Sequence, residues 1–114
     1  MITRWYSFDR RRCTVQFRWA SNDNLLSAFR AEHTDSKVKR LSVKSIEIAG
    51  AFTDWEPRLM LWKPSRGYVK SFSLVCGFRY EFRYRLNKKF WFSGNDGDGI
   101  IRTQRGEQNS YLEL

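Results

Sequence analysis

The feature that most constrains the fold of this chain is an alternation of apolar and polar residues with a period of two. It is clearest at 80–86, where apolar or aromatic side chains at even positions alternate with Glu or Arg at odd positions. Because successive side chains of a β-strand point to opposite faces, this pattern predicts a strand with one buried side. The same period, or a short β-rich run, recurs at 13–19, 46–48, 59–63, 68–76, 89–92 and 110–114. These segments predict an all-β sandwich of six to eight strands.

Two segments depart from this rhythm. The first is an insertion at 20–43, in which residues 24–31 fit a short helix with Leu25 and Phe29 on one face. A helix of this length is unstable alone, so we expect it either to pack on the sandwich or to remain mobile. The second segment, 93–109, is rich in Gly, Asn and Asp and predicts a long polar loop.

Length and composition narrow the class of protein. The chain has 114 residues, the length of one domain, so we expect residues 1–114 to form a single β-sandwich domain. Aromatic side chains make up 17% of the sequence, a proportion that excludes an intrinsically disordered chain. No stretch approaches the ~20 apolar residues of a membrane-spanning helix, and arginines interrupt any apolar signal-peptide core. We therefore expect a soluble cytoplasmic protein with no membrane partner.

The residues that usually carry catalysis or hold metals are scarce. Cys13 and Cys76 are the only cysteines and His33 is the only histidine, so the sequence lacks the ligand set of a zinc site. A single histidine also argues against a Ser-His-Asp or Cys-His triad. The Asp-Gly repeat at 96–99 does not match the EF-hand spacing. We predict a protein that is not an enzyme and needs no cofactor, and leave open whether Cys13 and Cys76 pair.

One string is more specific than these patterns. Residues 46–55 read Ile-Glu-Ile-Ala-Gly-Ala-Phe-Thr-Asp-Trp, which resembles the strand, Gly, x, Phe, Asn or Thr, Asp or Asn, Trp signature of the family 48 carbohydrate-binding modules. These early-set domains occur in isoamylases, branching enzymes and the β subunit of the AMP-activated protein kinase. Residues 80–88 and 106–111 are similar to two later motifs of the family. In this string we expect Gly50 to allow a sharp turn and Phe52 to enter the core.

The resemblance implies an immunoglobulin-like early-set sandwich that binds glycogen or a starch-like α-1,4-glucan without catalysis. The family's glucan contacts fall on Trp55, Trp91, Arg83 and Asn109, as two neighbouring indoles that form a platform and two polar groups for hydroxyls. The sequence departs from the family at residues 87–88, where Asn-Lys replaces Asn-Gly in the turn.

Each of these side chains also has a structural interpretation. Trp55 could plug the edge of the sandwich, and Asn109 could cap a turn. Arg83 could pair with Glu81 or with a neighbouring strand. For Trp91, the adjacent Phe90 is the competing candidate for the outward-facing ring. These alternatives stay open at the level of the sequence.

Two other functions are compatible with the same fold. A protein-interaction or regulatory module, with glucan binding lost or altered, would dock a partner through 20–43 or an exposed edge strand. Nucleic-acid or nonspecific polyanion binding would use the net charge of +9, which is densest at the three arginines 10–12. Salt separates these cases, because binding to polyanions weakens with salt and binding to a neutral glucan does not.

Overall fold

The computed structural model describes residues 1–38 and 40–114. Within them the chain forms ten β-strands, one α-helix and two short 3₁₀ turns. The strands are β1 (Ile2–Tyr6), β2 (Arg12–Trp19), β3 (Ile46–Gly50), β4 (Arg58–Leu59), β5 (Leu61–Lys63), β6 (Gly67–Val75), β7 (Arg79–Leu86), β8 (Phe90–Phe92), β9 (Gly99–Arg102) and β10 (Gln108–Glu113). The helix α1 is Asn22–Glu32, and the 3₁₀ turns are Ser36–Val38 and Ala51–Thr53.

The strands form two antiparallel sheets that pack as a sandwich. Sheet A has the strand order β1-β2-β6-β5. Sheet B has the order β4-β3-β7-β10-β9, and β8 pairs with the remaining length of β7. The predicted all-β sandwich is confirmed, although ten strands replace the six to eight expected.

Two strands were not predicted from the sequence, because they lie at sheet edges, where few side chains of a strand are buried. One is β1, whose five residues are all partly or fully exposed. The other is β9, inside the segment 93–109 that the sequence predicts to be a loop. That prediction is wrong for 99–102 and for the start of β10, which pair through main-chain hydrogen bonds. Main-chain pairing of this kind leaves no apolar signature in the sequence.

The core lies between the central strands of the two sheets. On β2 the alternate residues from Cys13 to Trp19 are buried, as the period of two predicts. They face the buried side chains of β7, with ring centroids of Phe17 and Phe82 5.1 Å apart. The rings of Trp19 and Tyr84 lie 4.9 Å apart. This aromatic core fixes the inner face of β7, and therefore also decides which of its side chains face outward.

The helix α1 packs on the sandwich, which settles the alternative left open by the sequence. Its buried face includes the predicted Leu25 and Phe29, and the ring of Phe29 lies 5.5 Å from that of Phe92. Ser21 is the N-cap, with its hydroxyl accepting a hydrogen bond from the backbone of Asn24. In the described part of the chain, no helix has both the length and the apolar character needed to cross a membrane.

Candidate functional site

The outer face of sheet B collects most of the predicted site residues, and β7 organises it. Because the even-numbered residues of β7 enter the core, Arg83 and Arg85 face outward. Arg85 is paired in register with Glu47 on β3 and with Trp91 on β8. These three side chains therefore form one row across the sheet, with Arg83 two residues away along β7.

Trp91 supplies an aromatic side chain to this outer face of sheet B. Phe90 turns inward and lies 5.8 Å from Phe29 of the helix, so alternation along β8 directs Trp91 outward. The Cζ atoms of Arg83 and Arg85 lie 5.4 and 5.3 Å from the centre of the Trp91 ring. Both distances are in the range of cation–π contacts. Trp91 is thus a half-buried ring, flanked by two guanidinium groups.

Arg83 pairs with a carboxylate, but this carboxylate belongs to a connecting turn and not to Glu81 on the same strand. Its Nη1 is 3.4 Å from Oε2 of Glu107, in the turn between β9 and β10. The Nε atom of Arg83 is buried and has no hydrogen-bond partner. One donor of this guanidinium is therefore left over after the ion pair has formed.

Asn109 lies within β10 and not in a turn, so it does not serve as a turn cap. Its Nδ2 donates to Oε1 of Glu81 at 3.1 Å. Its Oδ1 is buried and has no partner. The pairing of Ser110 with Phe82, continued by one residue, sets Asn109 opposite Arg83. An unpartnered acceptor and an unpartnered donor consequently belong to neighbouring side chains on this face.

Trp55 lies on the connection that follows β3. Its backbone N–H donates to the carbonyl of Gly50 at 2.9 Å, and its ring is 41% exposed. Both Asp54 and Trp55 have left-handed backbones, with φ of 53° and 62°. This conformation costs a residue other than glycine about 1–2 kcal/mol and is concentrated at functional positions. Trp55 is a protruding ring rather than a buried plug.

The structure does not bring Trp55 and Trp91 into contact. Trp91 is in register with Glu47, near the start of β3, whereas Trp55 follows the end of that strand. Strand rise and spacing place the backbone of Trp91 roughly 14 Å from Gly50. Within the described chain no ring contact joins the two indoles. The two indoles are therefore not a contacting pair, and whether they form one binding platform stays a prediction.

Gly50 has a different role from the expected sharp turn. Its backbone is extended, with φ of −167°. A Cβ at this position would lie 2.6 Å from the carbonyl oxygen of Glu81 and 2.9 Å from Cβ of Phe82. Glycine is needed because β7 approaches so closely. Phe52 is partly buried and stacks on Phe17 at 5.6 Å, which agrees with its expected place at the core.

Sequence reasoning missed Glu47 and Arg85. The Arg85 guanidinium donates two hydrogen bonds to the Glu47 carboxylate, from Nε to Oε1 at 3.0 Å and from Nη2 to Oε2 at 3.1 Å. Glu47 is 7% exposed, although it alternates with isoleucines as a surface residue would. The available signal was the repetition of arginine at 83 and 85, which indicates a shared outward row.

The two cysteines lie outside this face and do not form a disulfide bond with each other. Cys13 is buried, Cys76 is partly buried, and both are free thiols. Burial raises the pKa of the Cys13 thiol, and the neighbouring Cys76 adds to this shift. Among residues 1–38 and 40–114, no group of three or more His, Cys, Asp or Glu side chains is positioned to hold a metal ion.

Neither a protein-family model nor a curated protein matches the chain. The function must therefore be argued from the residues of this face.

Proposed function

We propose that the outer face of sheet B binds an α-1,4-glucan without catalysis. One observation carries this proposal: the outward Trp91 ring lies beside a buried donor, Nε of Arg83, and its neighbour Asn109 holds a buried acceptor, Oδ1, both without a partner. Buried polar atoms without hydrogen bonds are rare and costly in folded proteins. A sugar hydroxyl both donates and accepts, so it can satisfy the two atoms together.

The charges of this face favour a neutral ligand. The arginines beside Trp91 are each neutralised, Arg83 by Glu107 and Arg85 by Glu47. A phosphate group at this site would meet the negative charges of Glu47 and Glu107, whereas a hydroxyl needs only a hydrogen bond. A flat ring with a few fixed polar groups is the usual composition of a small-molecule site. This argument supports a carbohydrate over a polyanion on sheet B.

Ligand access requires a small movement of side chains. Nε of Arg83 and Oδ1 of Asn109 are covered, and Trp91 is the aromatic ring beside that guanidinium group. We propose that a ligand reaches them by a change of side-chain rotamer on this face. Rotamer changes of this kind are common when ligands bind to surfaces whose backbone stays fixed.

Trp55 takes part only if the ligand is long. The resemblance to family 48 modules implies glucan contacts at both Trp55 and Trp91, yet the two rings are separate. We therefore propose that Trp91 contributes the main contact and that Trp55 adds to it only with extended chains. Short maltooligosaccharides should then be sensitive to Trp91 and insensitive to Trp55.

Affinity electrophoresis tests this proposal. The protein, with a net charge of +9, runs toward the cathode in a native gel with or without glycogen. We expect glycogen to retard wild type and Trp55→Ala more than Trp91→Ala, at both low and moderate salt. Trp5→Ala is the matched control, because Trp5 is 51% exposed but lies on sheet A.

The outcomes separate binding from charge. Retardation that Trp91→Ala abolishes and Trp5→Ala preserves supports the proposal. Equal retardation of all variants that fades with salt contradicts it, as does the absence of any retardation. Urea unfolding of each variant verifies that a loss of binding is not a loss of fold.

A protein-interaction role is the second candidate, favoured by the exposed edge of sheet A. The insertion 20–43 is less suited to this role, because α1 within it contributes to the core. The edge strand β5 exposes Leu61 by 53% and Trp62 by 54%. Edge strands of this kind pair readily with other strands, a second copy of the chain included. Sedimentation velocity tests for a dimer that Leu61→Lys abolishes, and a monomer at all concentrations contradicts it.

A further inference from the structure

The outer face of sheet A is a second, chemically different surface. The pairing of β1, β2 and β6 aligns Trp5 with Thr14 and Ser73. The adjacent row sets Gln16 beside Ser71. Trp5 is 51% exposed, and the three hydroxyl-bearing side chains are exposed as well. The result is a flat polar surface with one open indole at its side.

The charge of this face is positive and uncompensated. Arg12 and Arg18 lie toward the two ends of β2. Lys63 ends β5, on the far side of β6, and Arg66 follows in the turn from β5 to β6. The outward positions of the four strands all belong to the described chain, and none of them is Asp or Glu. In this described part, none of the four cations has an ion-pair partner.

Neutral groups hold these guanidinium groups against the sheet. Arg12 donates from Nε to Oγ of Ser73 at 3.0 Å and from Nη2 to the Ser73 carbonyl at 3.0 Å. Arg66 donates to Oε1 of Gln16 at 2.6 Å, and Arg18 donates to the carbonyl of Arg66 at 2.5 Å. These bonds orient the side chains but do not neutralise them. Each guanidinium keeps further N–H donors for an anion.

Sheet B differs in this respect. Its outward arginines on β7 are all paired with carboxylates, as Arg79–Glu113, Arg83–Glu107 and Arg85–Glu47. The arginines of β7 are therefore balanced by carboxylates, whereas Arg12, Arg18 and Arg66 on the face of sheet A are not. Charge complementarity assigns an anionic partner to sheet A and leaves the neutral ligand to sheet B.

We propose that the outer face of sheet A binds single-stranded nucleic acid. Arg12, Arg18 and Arg66 contact phosphates, and Trp5 stacks on a base. Arg12 and Arg18 are six residues apart on one strand, which is roughly 20 Å. That length suits the shorter single-strand sites, which cover about four nucleotides. This proposal is independent of glucan binding.

The exposed ring selects single strands over duplexes. The flat face of an indole stacks on an unpaired base, and this contact tolerates any sequence. In a duplex the faces of the bases are already stacked on one another, so Trp5 would find no partner. A lipid surface would need apolar insertion, but the centre of this face is made of hydroxyl and amide groups. Phosphates that contact the arginines would account for the positive charge of this face, and bases that stack on Trp5 would account for its exposed ring.

Fluorescence anisotropy with a labelled 12-nucleotide oligothymidylate tests the proposal. We expect wild type to bind with a salt slope of about −2, as three phosphate contacts predict for a single strand. The double variant Arg12→Gln with Arg18→Gln should reduce the magnitude of the salt slope by about 1.4. At 50 mM salt it should also weaken binding about eightfold for each phosphate contact that is lost. Trp5→Ala should weaken binding about tenfold, and Trp5→Phe should retain most of it.

Matched controls separate this face from net charge. Arg102→Gln with Arg105→Gln removes the same number of charges from exposed positions, at the end of β9 and in the turn that follows it, and should leave binding unchanged. Equal weakening by the two double variants overturns the proposal, because net charge alone would then explain the attraction. Binding of a duplex as tight as that of the single strand, with no effect of Trp5→Ala, also overturns it. No binding at 50 mM salt overturns it outright.

Discussion

Arg85 and Glu47 form a doubly hydrogen-bonded ion pair across β7 and β3, with N–O distances of 3.0 and 3.1 Å. The carboxylate is almost fully buried, and the guanidinium lies 5.3 Å from the centre of the Trp91 ring on its other side. The pair neutralises one of the arginines of the proposed glucan face and fixes its orientation. The same pair therefore contributes to the stability of sheet B and to the arrangement of side chains on its outer face.

Glu47→Gln is expected to destabilise the fold by about 2 kcal/mol. The change removes the charge that compensates Arg85 and leaves one charge-assisted hydrogen bond unmade. Urea unfolding measures the effect. Glu56→Gln is the matched control, because its ion pair with Arg58 is largely exposed and should contribute less than about 1 kcal/mol. Equal effects of the two variants would contradict the importance of the buried pair.

Lys88→Gly is expected to stabilise the protein by about 0.5–1 kcal/mol. Asn87 and Lys88 form the tight turn between β7 and β8, with φ of 53° and 59°. Both residues are left-handed in a turn that the Lys89 N–H closes onto the Leu86 carbonyl at 3.0 Å, and glycine tolerates this conformation better than lysine. A higher midpoint in urea unfolding would verify this, and an unchanged or lower midpoint would count against it.

Asn87→Gly, one residue away, should have the opposite effect. The Asn87 side chain accepts hydrogen bonds from the backbones of Lys44 and Ser45 and donates to the carbonyl of Ser42. These bonds tie the turn to the segment before β3. Their loss should cost about 1–3 kcal/mol, more than the backbone gains. Stabilisation by both glycines would mean that the side-chain bonds are unimportant.

Glu32→Gln is expected to loosen the C-terminal end of α1. The Glu32 carboxylate accepts hydrogen bonds from the backbone and hydroxyl of Ser93 and from the backbone of Gly94, all between 2.8 and 2.9 Å. An amide replaces one acceptor by a donor that faces another donor. We expect a loss of about 1–3 kcal/mol and faster hydrogen exchange of the last turn of α1 than of β7.

Asp23→Asn is the control for this experiment. Asp23 lies in the first turn of the same helix, where its charge favours the helix dipole by about 0.3–1 kcal/mol. Its substitution should leave exchange at the C-terminal turn unchanged. Uniform acceleration along α1 by Glu32→Gln would indicate general destabilisation instead of a lost anchor.

Alkaline pH is expected to destabilise the protein through Tyr84. Burial raises the pKa of Tyr84 well above 10, and the charge of Asp96 and its hydrogen bond add to this shift. The folded state therefore keeps this proton while the unfolded chain loses it. Stability is full below pH 10 and falls above it by about 1.4 kcal/mol per pH unit for this one group.

Tyr84→Phe tests this pH dependence. The variant should be less stable at pH 8, because Asp96 loses a hydrogen bond, but its stability should fall less steeply above pH 10. Urea midpoints measured from pH 8 to pH 11 give the two slopes. Identical slopes would show that Tyr84 does not carry the alkaline loss.

The residues at the centre of each sheet were predictable because their environment repeats at short range. The pattern at 80–86 gives the buried Phe82, Tyr84 and Leu86 of β7 directly, since a central strand meets the core on one side along its whole length. The helix around Leu25 and Phe29 follows from local spacing in the same way. The edge strand β9 was missed, because main-chain pairing holds it and leaves no apolar rhythm.

Local patterns in the amino-acid sequence were sufficient for the all-β class, for the inward and outward sides of the central strands, and for the packing face of α1. All of these depend on residues a few positions apart. Three further relations came from the folded chain alone. Trp55 and Trp91 are not in ring contact, Glu47 neutralises Arg85, and four cations without carboxylate partners share the outer face of sheet A, namely Arg12, Arg18, Lys63 and Arg66. These relations join segments tens of residues apart, so they depend on strand register and sheet order, which local patterns do not encode.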